Sequence, residues 1–251
     1  MDYFLLLLVP LAFVCEFVDS SLGGGYGTIL TPVLLLMGYE PMQIVPAVLL
    51  SEFVTGLTAA FFHHSENNVN LHPRSPDAKV AFVLSLFAVV GTLAAVMLAV
   101  KLSPHMLKLI IGSIVLLMGI VILANLGRKP KLSWGRIMVL GTVASFNKGL
   151  SGGGYGPLVM GGQVLSGVGV KNAVGITSFS EGVTCLLGVG LYIVFKDSID
   201  WTLAPWLMAG AVLSIPLAAT TLKRLPENVV KVSIAVFVCV LGIITLYNAL
   251  A

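Results

Sequence analysis

The stretch Gly-Gly-Gly-Tyr-Gly at residues 23–27 occurs a second time at residues 152–156, 129 positions further along the chain. The pair Ser51-Glu52 returns at the same offset as Ser180-Glu181. Between residues 23 and 57, thirteen of thirty-five positions match their counterparts without a gap. This agreement indicates an internal duplication, in which a glycine turn and a carboxylate recur in the same order.

The composition of the chain is typical of a membrane protein. Hydrophobic residues make up 57% of the 251 residues and charged residues 10%, with a mean hydropathy of +1.02, whereas about 25% of residues are charged in a typical soluble protein. Six uninterrupted apolar stretches have about the length that crosses a bilayer, roughly 20 residues. They are Ile44 to Phe62, Val80 to Val100, Pro104 to Ala124, Asn172 to Phe195, Thr202 to Leu222 and Glu227 to Leu250.

Two further apolar stretches are interrupted by the glycine block: residues 3–20 continue as 28–38, and residues 136–150 continue as 157–166. We therefore predict an all-α polytopic membrane protein with two inverted repeats, each a broken or re-entrant helix pair plus three transmembrane helices. One transmembrane domain is predicted to contain both the N-terminal repeat, residues 1–126, and the C-terminal repeat, residues 127–251.

The distribution of Lys and Arg favours the inverted arrangement, because cytoplasmic loops carry an excess of these residues. Inverted halves place ten of the loop cations inside and three, Lys101, Lys108 and Lys196, outside. Parallel halves with four full spans each give seven inside and six outside. The ten inside cations are Arg74, Lys79, Arg128, Lys129, Lys131, Arg136, Lys171, Lys223, Arg224 and Lys231.

Five ionisable side chains lie within or beside the apolar segments, namely Glu16, Asp19, Glu52, Lys148 and Glu181. Such a group costs about 2.5 to 3.5 kcal/mol at membrane depth and usually faces a cavity, a partner or a transport path. Asp19 and Lys148 are counterparts in the duplication. One interpretation is that Asp19 and Lys148 form a buried ion pair that fixes packing. The interpretation that we prefer is that Lys148 is the countercharge for an anionic substrate.

Glu52 and Glu181 are also counterparts, and two interpretations remain open for them. Each carboxyl is either kept neutral by burial and hydrogen-bonded to a neighbouring helix, since desolvation disfavours the charged form, or it carries protons during transport. The second hypothesis assigns proton coupling to Glu52, Glu181 and Asp19.

The glycine turns predict a site for a small anion. Consecutive glycines let the backbone adopt positive φ and let another group approach the main chain. The helix that resumes after each turn begins with free N–H groups and a positive dipole end. Close packing through small residues is the alternative, but paired interruptions in two hydrophobic halves indicate a transporter's binding site. The predicted substrate-binding residues are Ser21, Gly24, Gly25, Tyr26, Lys148, Ser151, Gly153, Gly154 and Tyr155.

Other function classes find little support in the sequence. Cys15, Cys185 and Cys239 lie in apolar segments without the spacing of a metal site or disulfide frame, so we expect packing roles. His63, His64 and His72 are expected in a solvated cytoplasmic loop and bind no metal. No nucleotide-binding P-loop is present, and the net charge of +3 predicts no nucleic-acid partner. We expect no cofactor and no enzymatic activity; an anion channel and a membrane thiol protein are the rival interpretations.

The duplicated glycine block, the Ser-Glu pair in the following span, Pro32 or Pro157 after the turn and the length near 250 residues resemble the sulfite exporter TauE/SafE family. The chain also resembles membrane transporters of the 4-toluene sulfonate uptake permease type, which are grouped with this family. It implies a multi-pass carrier in the cell inner membrane of a bacterium or archaeon. The expected partners of such a carrier are protons, the lipid bilayer and small anions such as sulfite, sulfoacetate or other sulfonates. The carrier is expected to export these anions by alternating access. A homodimer is also expected.

Overall fold

The computed structural model describes residues 6–124, 133–164, 166–196, 199–221 and 227–250. In the first half the helices are α1 Leu8–Leu22, α2 Tyr26–Leu36, α3 Pro41–Ser65, α4 Pro76–Ala99 and α5 Pro104–Ala124. In the second half they are α6 Trp134–Ser151, α7 Tyr155–Val164, α8 Val170–Lys196, α9 Ala204–Thr221 and α10 Glu227–Leu250. The expected all-helical architecture is confirmed for the described part of the chain.

The helices of the two halves correspond one to one in chain order. At the offset of 129 residues, α2 and α7 begin at counterparts, Tyr26 and Tyr155, and so do α3 and α8. Glycines with positive φ also pair at this offset: Gly23, Gly25 and Gly38 with Gly152, Gly154 and Gly167. The duplication therefore extends to the backbone conformation of the turns.

The first helix of each half ends at a left-handed glycine. Gly23 has φ 65° and donates its N–H to the carbonyl of Asp19 at 2.6 Å. Gly152 has φ 72° and donates to the carbonyl of Lys148 at 2.8 Å. Glycine adopts this conformation without steric cost and satisfies a carbonyl that the helix end leaves free. Each interrupted stretch is thus a pair of helices joined by a glycine turn.

Within the described residues, four helices are long and apolar enough to cross a membrane, namely α3, α4, α8 and α9. They correspond to four of the six predicted spans. The other two predicted spans are also helical, as α5 and α10. One boundary was predicted wrongly: α3 continues through Ser65, so His63 and His64 belong to a helix rather than to a loop. His63 is fully buried, whereas His64 and His72 are exposed.

Helices of one half pack mainly against helices of the other. The most extensive contacts join α4 to α6, α9 to α1, α3 to α8 and α5 to α10. Because α4 corresponds to α9 and α6 to α1, the first two contacts are repeats of one another. The orientation of the halves across the membrane stays a prediction, since Arg128, Lys129, Lys131, Lys223 and Arg224 lie outside the described residues.

Candidate functional site

A buried charge cluster lies where α1, α3, α6 and α8 meet. Lys148 of α6 is fully buried, and its Nζ lies 2.7 Å from Glu181 Oε1 of α8 and also contacts Glu52 Oε2 of α3. The carboxylate oxygens of Asp19, Glu52 and Glu181 lie within 4.8 Å of one another. We call these four side chains, Asp19, Glu52, Lys148 and Glu181, the central cluster.

The partners of Lys148 differ from one expectation of the sequence. The ion pairs of Lys148 are with Glu52 and Glu181, rather than with its counterpart Asp19. The Asp19 carboxylate instead accepts the N–H of Gly25 at 2.7 Å. The duplication correctly grouped these residues, but it could not say which of the carboxylates would reach the ammonium group.

The two glutamates approach each other because α3 and α8 cross closely at glycines. A Cβ atom on Gly56 of α3 would lie 2.9 Å from the Cα of Gly182 on α8. Gly56 follows Glu52 by one helical turn, and Gly182 directly follows Glu181. Small residues allow helix backbones to come this close in membranes. The crossing therefore brings both carboxylates to the same side of α6.

The two glycine turns face each other across the centre of the molecule. Gly154 donates its N–H to Thr28 Oγ1 at 2.7 Å. A Cβ atom on Gly156 would lie 2.9 Å from the backbone nitrogen of Gly25, and one on Gly27 would overlap the carbonyl of Gly152. The two turns thus pack directly against each other, and their glycines are required by this close backbone contact as well as by positive φ.

Protein groups already occupy several of the backbone N–H groups at these turns. Gly27 donates to Glu52 Oε1 at 3.2 Å, and Gly153 donates to Ser151 Oγ at 3.1 Å. The turn residues assigned to substrate binding, including Gly24, are buried, and Tyr26 and Tyr155 are fully buried. The structure is therefore closed around this region.

Two features of the closed region point to where it could open. The hydroxyl of Ser21 is buried without a hydrogen-bond partner among the described residues. Asp19 is only partly buried, unlike Glu52, Lys148 and Glu181.

A surface cavity of about 480 Å³ lies elsewhere, lined by Gly135, Arg136, Val139, Leu140, Gly162 and Ser166. None of these lining residues belongs to the central cluster.

One buried carboxyl near the central cluster received no role from the sequence. Glu16 of α1 is 2% exposed and accepts hydrogen bonds from Ser20 Oγ at 2.5 Å and from Thr55 Oγ1 at 3.0 Å. Its counterpart in the second half is Ser145, so the duplication did not single it out. The sequence feature that could have drawn attention to Glu16 is Ser20, whose hydroxyl group lies one helical turn later on α1.

Ion-paired charges buried at the junction of two interrupted helix pairs, inside a bundle of apolar helices, define this protein as a membrane transporter. The chain belongs to the sulfite exporter TauE/SafE family, whose sequence profile matches residues 8–245. This match confirms the resemblance described above and the expectation of a transporter rather than an enzyme. It also confirms a multi-pass membrane protein.

Similar proteins carry related descriptions. The probable membrane transporter protein YtnM of Bacillus subtilis (strain 168) is 25% identical over 257 residues, which cover 96% of this chain and 83% of that protein. The probable membrane transporter protein YdhB of the same organism is 20% identical over 253 residues, covering 96% of this chain and all of its own length. The probable membrane transporter protein ORF9 of Sinorhizobium sp is 28% identical over 200 residues, or 77% of this chain and 74% of its own. No solved structure gave a significant match.

Proposed function

We propose that this protein is a proton-coupled secondary transporter that exports small sulfur-containing anions, such as sulfite, sulfoacetate or other sulfonates, across the cell inner membrane. The observation that carries the proposal is the fully buried Lys148 between two glutamates at the junction of the two glycine turns. Membership of the sulfite exporter family supports the substrate class.

The charge balance of the central cluster links anion binding to proton binding. When all four groups are ionised, the three carboxylates of Asp19, Glu52 and Glu181 face one ammonium group. An anion entering this site would be repelled, and an uncompensated buried charge is costly. Protonation of Glu52 or Glu181 removes one negative charge and releases Lys148 from one of its two ion pairs, so that Lys148 can pair with an anion. Anion and proton therefore bind together and move in the same direction.

Protonation of Glu52 frees one hydrogen-bond donor at the turns, and protonation of Asp19 would free a second. The N–H groups of Gly25 and Gly27 donate to the carboxylates of Asp19 and Glu52. Charge-assisted hydrogen bonds are roughly twice as strong as neutral ones, so a protonated carboxyl competes poorly with an anion for these donors. A sulfite or sulfonate group presents three oxygens, which Lys148 and the amides at the start of α2 can share.

The membrane potential favours export of such a substrate. An inside-negative potential drives each net negative charge outward by about 2.3 kcal/mol per 100 mV. A divalent anion that moves with one proton keeps one net negative charge and therefore still moves outward down the potential. Rocking of one half against the other about the closely packed turns would expose the cluster to each side in turn.

Transport by the purified protein in liposomes tests this proposal. Sulfite, sulfoacetate, thiosulfate and sulfate are offered in turn, at equal pH and with an acidic exterior. We expect saturable uptake of sulfite or a sulfonate, accelerated by the acidic exterior because protons enter with the anion. Flux that does not saturate would instead identify an anion channel.

The matched variant replaces both Glu52 and Glu181 with Gln, which keeps the shape of each side chain but cannot take up a proton. Because Lys148 is then permanently free, we expect anion binding to persist while the acceleration by an acidic exterior is lost. Acceleration equal to that of the unmodified protein would exclude these glutamates as proton carriers.

A further inference from the structure

Glu16 lies close to the central cluster but has a different environment. Glu52 and Glu181 are paired with Lys148, whereas the hydrogen bonds described for Glu16 come from two hydroxyl groups, those of Ser20 and Thr55. A hydroxyl group can donate or accept. Both hydrogen bonds therefore survive when Glu16 changes from carboxylate to carboxylic acid, as a reversible proton site requires.

The surroundings of Glu16 favour its neutral form. Thr55 stands one turn beyond Glu52 on α3, and Asp19 stands one turn beyond Glu16 on α1, so Glu16 borders the central cluster. Its negative charge would add to those of the cluster, which holds one cation against three carboxylates. The titratable groups that face Glu16 from the elements around it are Cys15 and Asp19 on α1, Tyr26 on α2 and Glu181 on α8. Helix α9, which packs against α1, has none.

A histidine lies between this carboxyl and the end of α3. His63 is fully buried, two residues before α3 ends, and its ring lies beside the backbone of Ser20. The amide nitrogen of Asn68 lies 3.1 Å from the carbonyl of Ala219, which can only accept, so this atom is the donor. The same nitrogen lies 3.2 Å from His63 Nδ1, which must therefore accept.

The tautomer of His63 follows from these contacts. Because Nδ1 accepts, the neutral ring carries its hydrogen on the buried Nε2. Histidine serves as a proton shuttle in proteins, because its two ring nitrogens can bind and release a proton in turn. His63 is thus the titratable group that connects the Glu16 environment to the loop after α3.

The second half lacks both titratable groups at the corresponding positions. Ser145 replaces Glu16, Gly149 replaces Ser20, and Tyr192 replaces His63. The Tyr192 hydroxyl donates to the carbonyl of Gly149 at 2.8 Å, which repeats the proximity of His63 to the Ser20 backbone. The second half thus carries a tyrosine at the counterpart of His63. Among these paired positions, a buried carboxyl and a buried histidine occur in the first half alone.

We propose that Glu16 is a proton-binding residue of the transport cycle, reached from the end of α3 past His63. The carboxylate takes one proton from water at that end, forming one O–H bond, and the bond breaks when the proton is returned to water. The inference rests on the proposed proton-coupled transport, and it adds a proton site outside the central cluster with access from one side of the molecule.

Two measurements on the Glu16→Gln variant test the proposal. Gln keeps the size of the side chain and can hydrogen-bond to both hydroxyls. In infrared difference spectra of the full chain recorded at two pH values, we expect loss of a protonated-carboxyl band. In liposomes, we expect loss of the acceleration of sulfite uptake by an acidic exterior, with exchange of radiolabelled sulfite at equal pH retained. Persistence of both the band and the acceleration would overturn the proposal.

Matched variants test the access route. Ser145→Ala, at the counterpart of Glu16, should leave the acceleration and the infrared band unchanged. His63→Tyr copies the residue that the second half carries, and it should slow the response to an acidic exterior without changing exchange at equal pH. An unchanged response would overturn access past His63. If the unmodified protein transports none of the four anions yet Glu16→Gln still loses the infrared band, the proposed function fails while the proton site stands.

Discussion

Lys148 holds the central cluster together, because it is the cation that neutralises the buried carboxylates of Glu52 and Glu181. Removal of one partner from a buried ion pair leaves uncompensated charge and typically costs about 3–5 kcal/mol. We therefore expect Lys148→Ala to lower the free energy of unfolding by about this amount. Thermal unfolding of the purified variant in detergent measures the loss.

The protein contains a suitable control for this change. Lys108 forms an ion pair with Glu40 at 3.1 Å, with side chains 32% and 49% exposed. Because surface pairs contribute little, Lys108→Ala should cost no more than about 1 kcal/mol. Adding Glu52→Gln and Glu181→Gln to Lys148→Ala should recover part of the lost stability but not anion transport. Equal losses for the two single lysine variants would mean that the buried glutamates are already neutral.

The sequence was sufficient to predict some residues of the buried site and insufficient to predict others. Charged residues in apolar segments identified every member of the central cluster, because burial of such groups is costly without a function or a partner. The duplication related Asp19 to Lys148, but counterparts are related by symmetry and need not touch. Glu16 has no acidic counterpart, and its importance depends on contacts with hydroxyls of α1 and α3 that only the folded chain brings together.

Among the elements, the crossing of α3 and α8 positions the two glutamates. A Cβ atom on Gly56 would lie 2.9 Å from backbone atoms of Gly182, which cannot move aside as a flexible side chain can. Overpacking of this kind costs typically about 1–3 kcal/mol. We expect Gly56→Ala to separate the helices, lower thermal stability in detergent and reduce sulfite transport, because the glutamates no longer converge on Lys148.

Gly190 of α8 provides the matched control for a glycine inside a helix. A Cβ atom on Gly190 would meet nothing within 4 Å. Alanine is favoured over glycine inside a helix by up to about 1 kcal/mol, so Gly190→Ala should leave stability unchanged or raise it and should retain transport. The importance of the crossing is refuted if Gly56→Ala and Gly190→Ala behave alike.

Elements were predictable where local rules decide them. Consecutive glycines correctly placed the interruptions, since the left-handed conformation at Gly23 and Gly152 depends on the residue itself. The end of α3 was harder to predict. His63 and His64 look like loop residues in a hydropathy pattern, but His63 is buried by helix packing and hydrogen-bonded to Asn68. Contacts distant in sequence therefore set that boundary.

For the whole molecule, the duplication predicted two equivalent halves but could not predict that they would interlock. Helix α1 packs against α9, and α6 packs against α4, so the first helix of each half contacts the fourth helix of the other. Sequence similarity between repeats carries no information on whether a helix packs within its own half or across. Because the halves interlock, the central cluster lies at the interface between them, where a movement of one half relative to the other would expose the cluster.

The inverted arrangement of the halves makes a specific prediction about two loops. The loop after α3 and the loop after α8 occupy corresponding positions, so inverted halves place them on opposite sides of the membrane and parallel halves place them on the same side. His72 in the first loop and Trp201 in the second are both exposed. We expect His72→Cys to be labelled by a membrane-impermeant thiol reagent from the cytoplasmic side alone, and Trp201→Cys from the opposite side alone.

The labelling is done in a background in which Cys15, Cys185 and Cys239 are replaced, and this background should still transport sulfite, since the expected role of these cysteines is packing. The cytoplasmic position of the first loop rests on the excess of Lys and Arg there. Labelling of both cysteines from the same side would contradict inverted halves. It would also remove the physical basis for alternating access by rocking, because two parallel halves would present their glycine turns to the same side of the membrane.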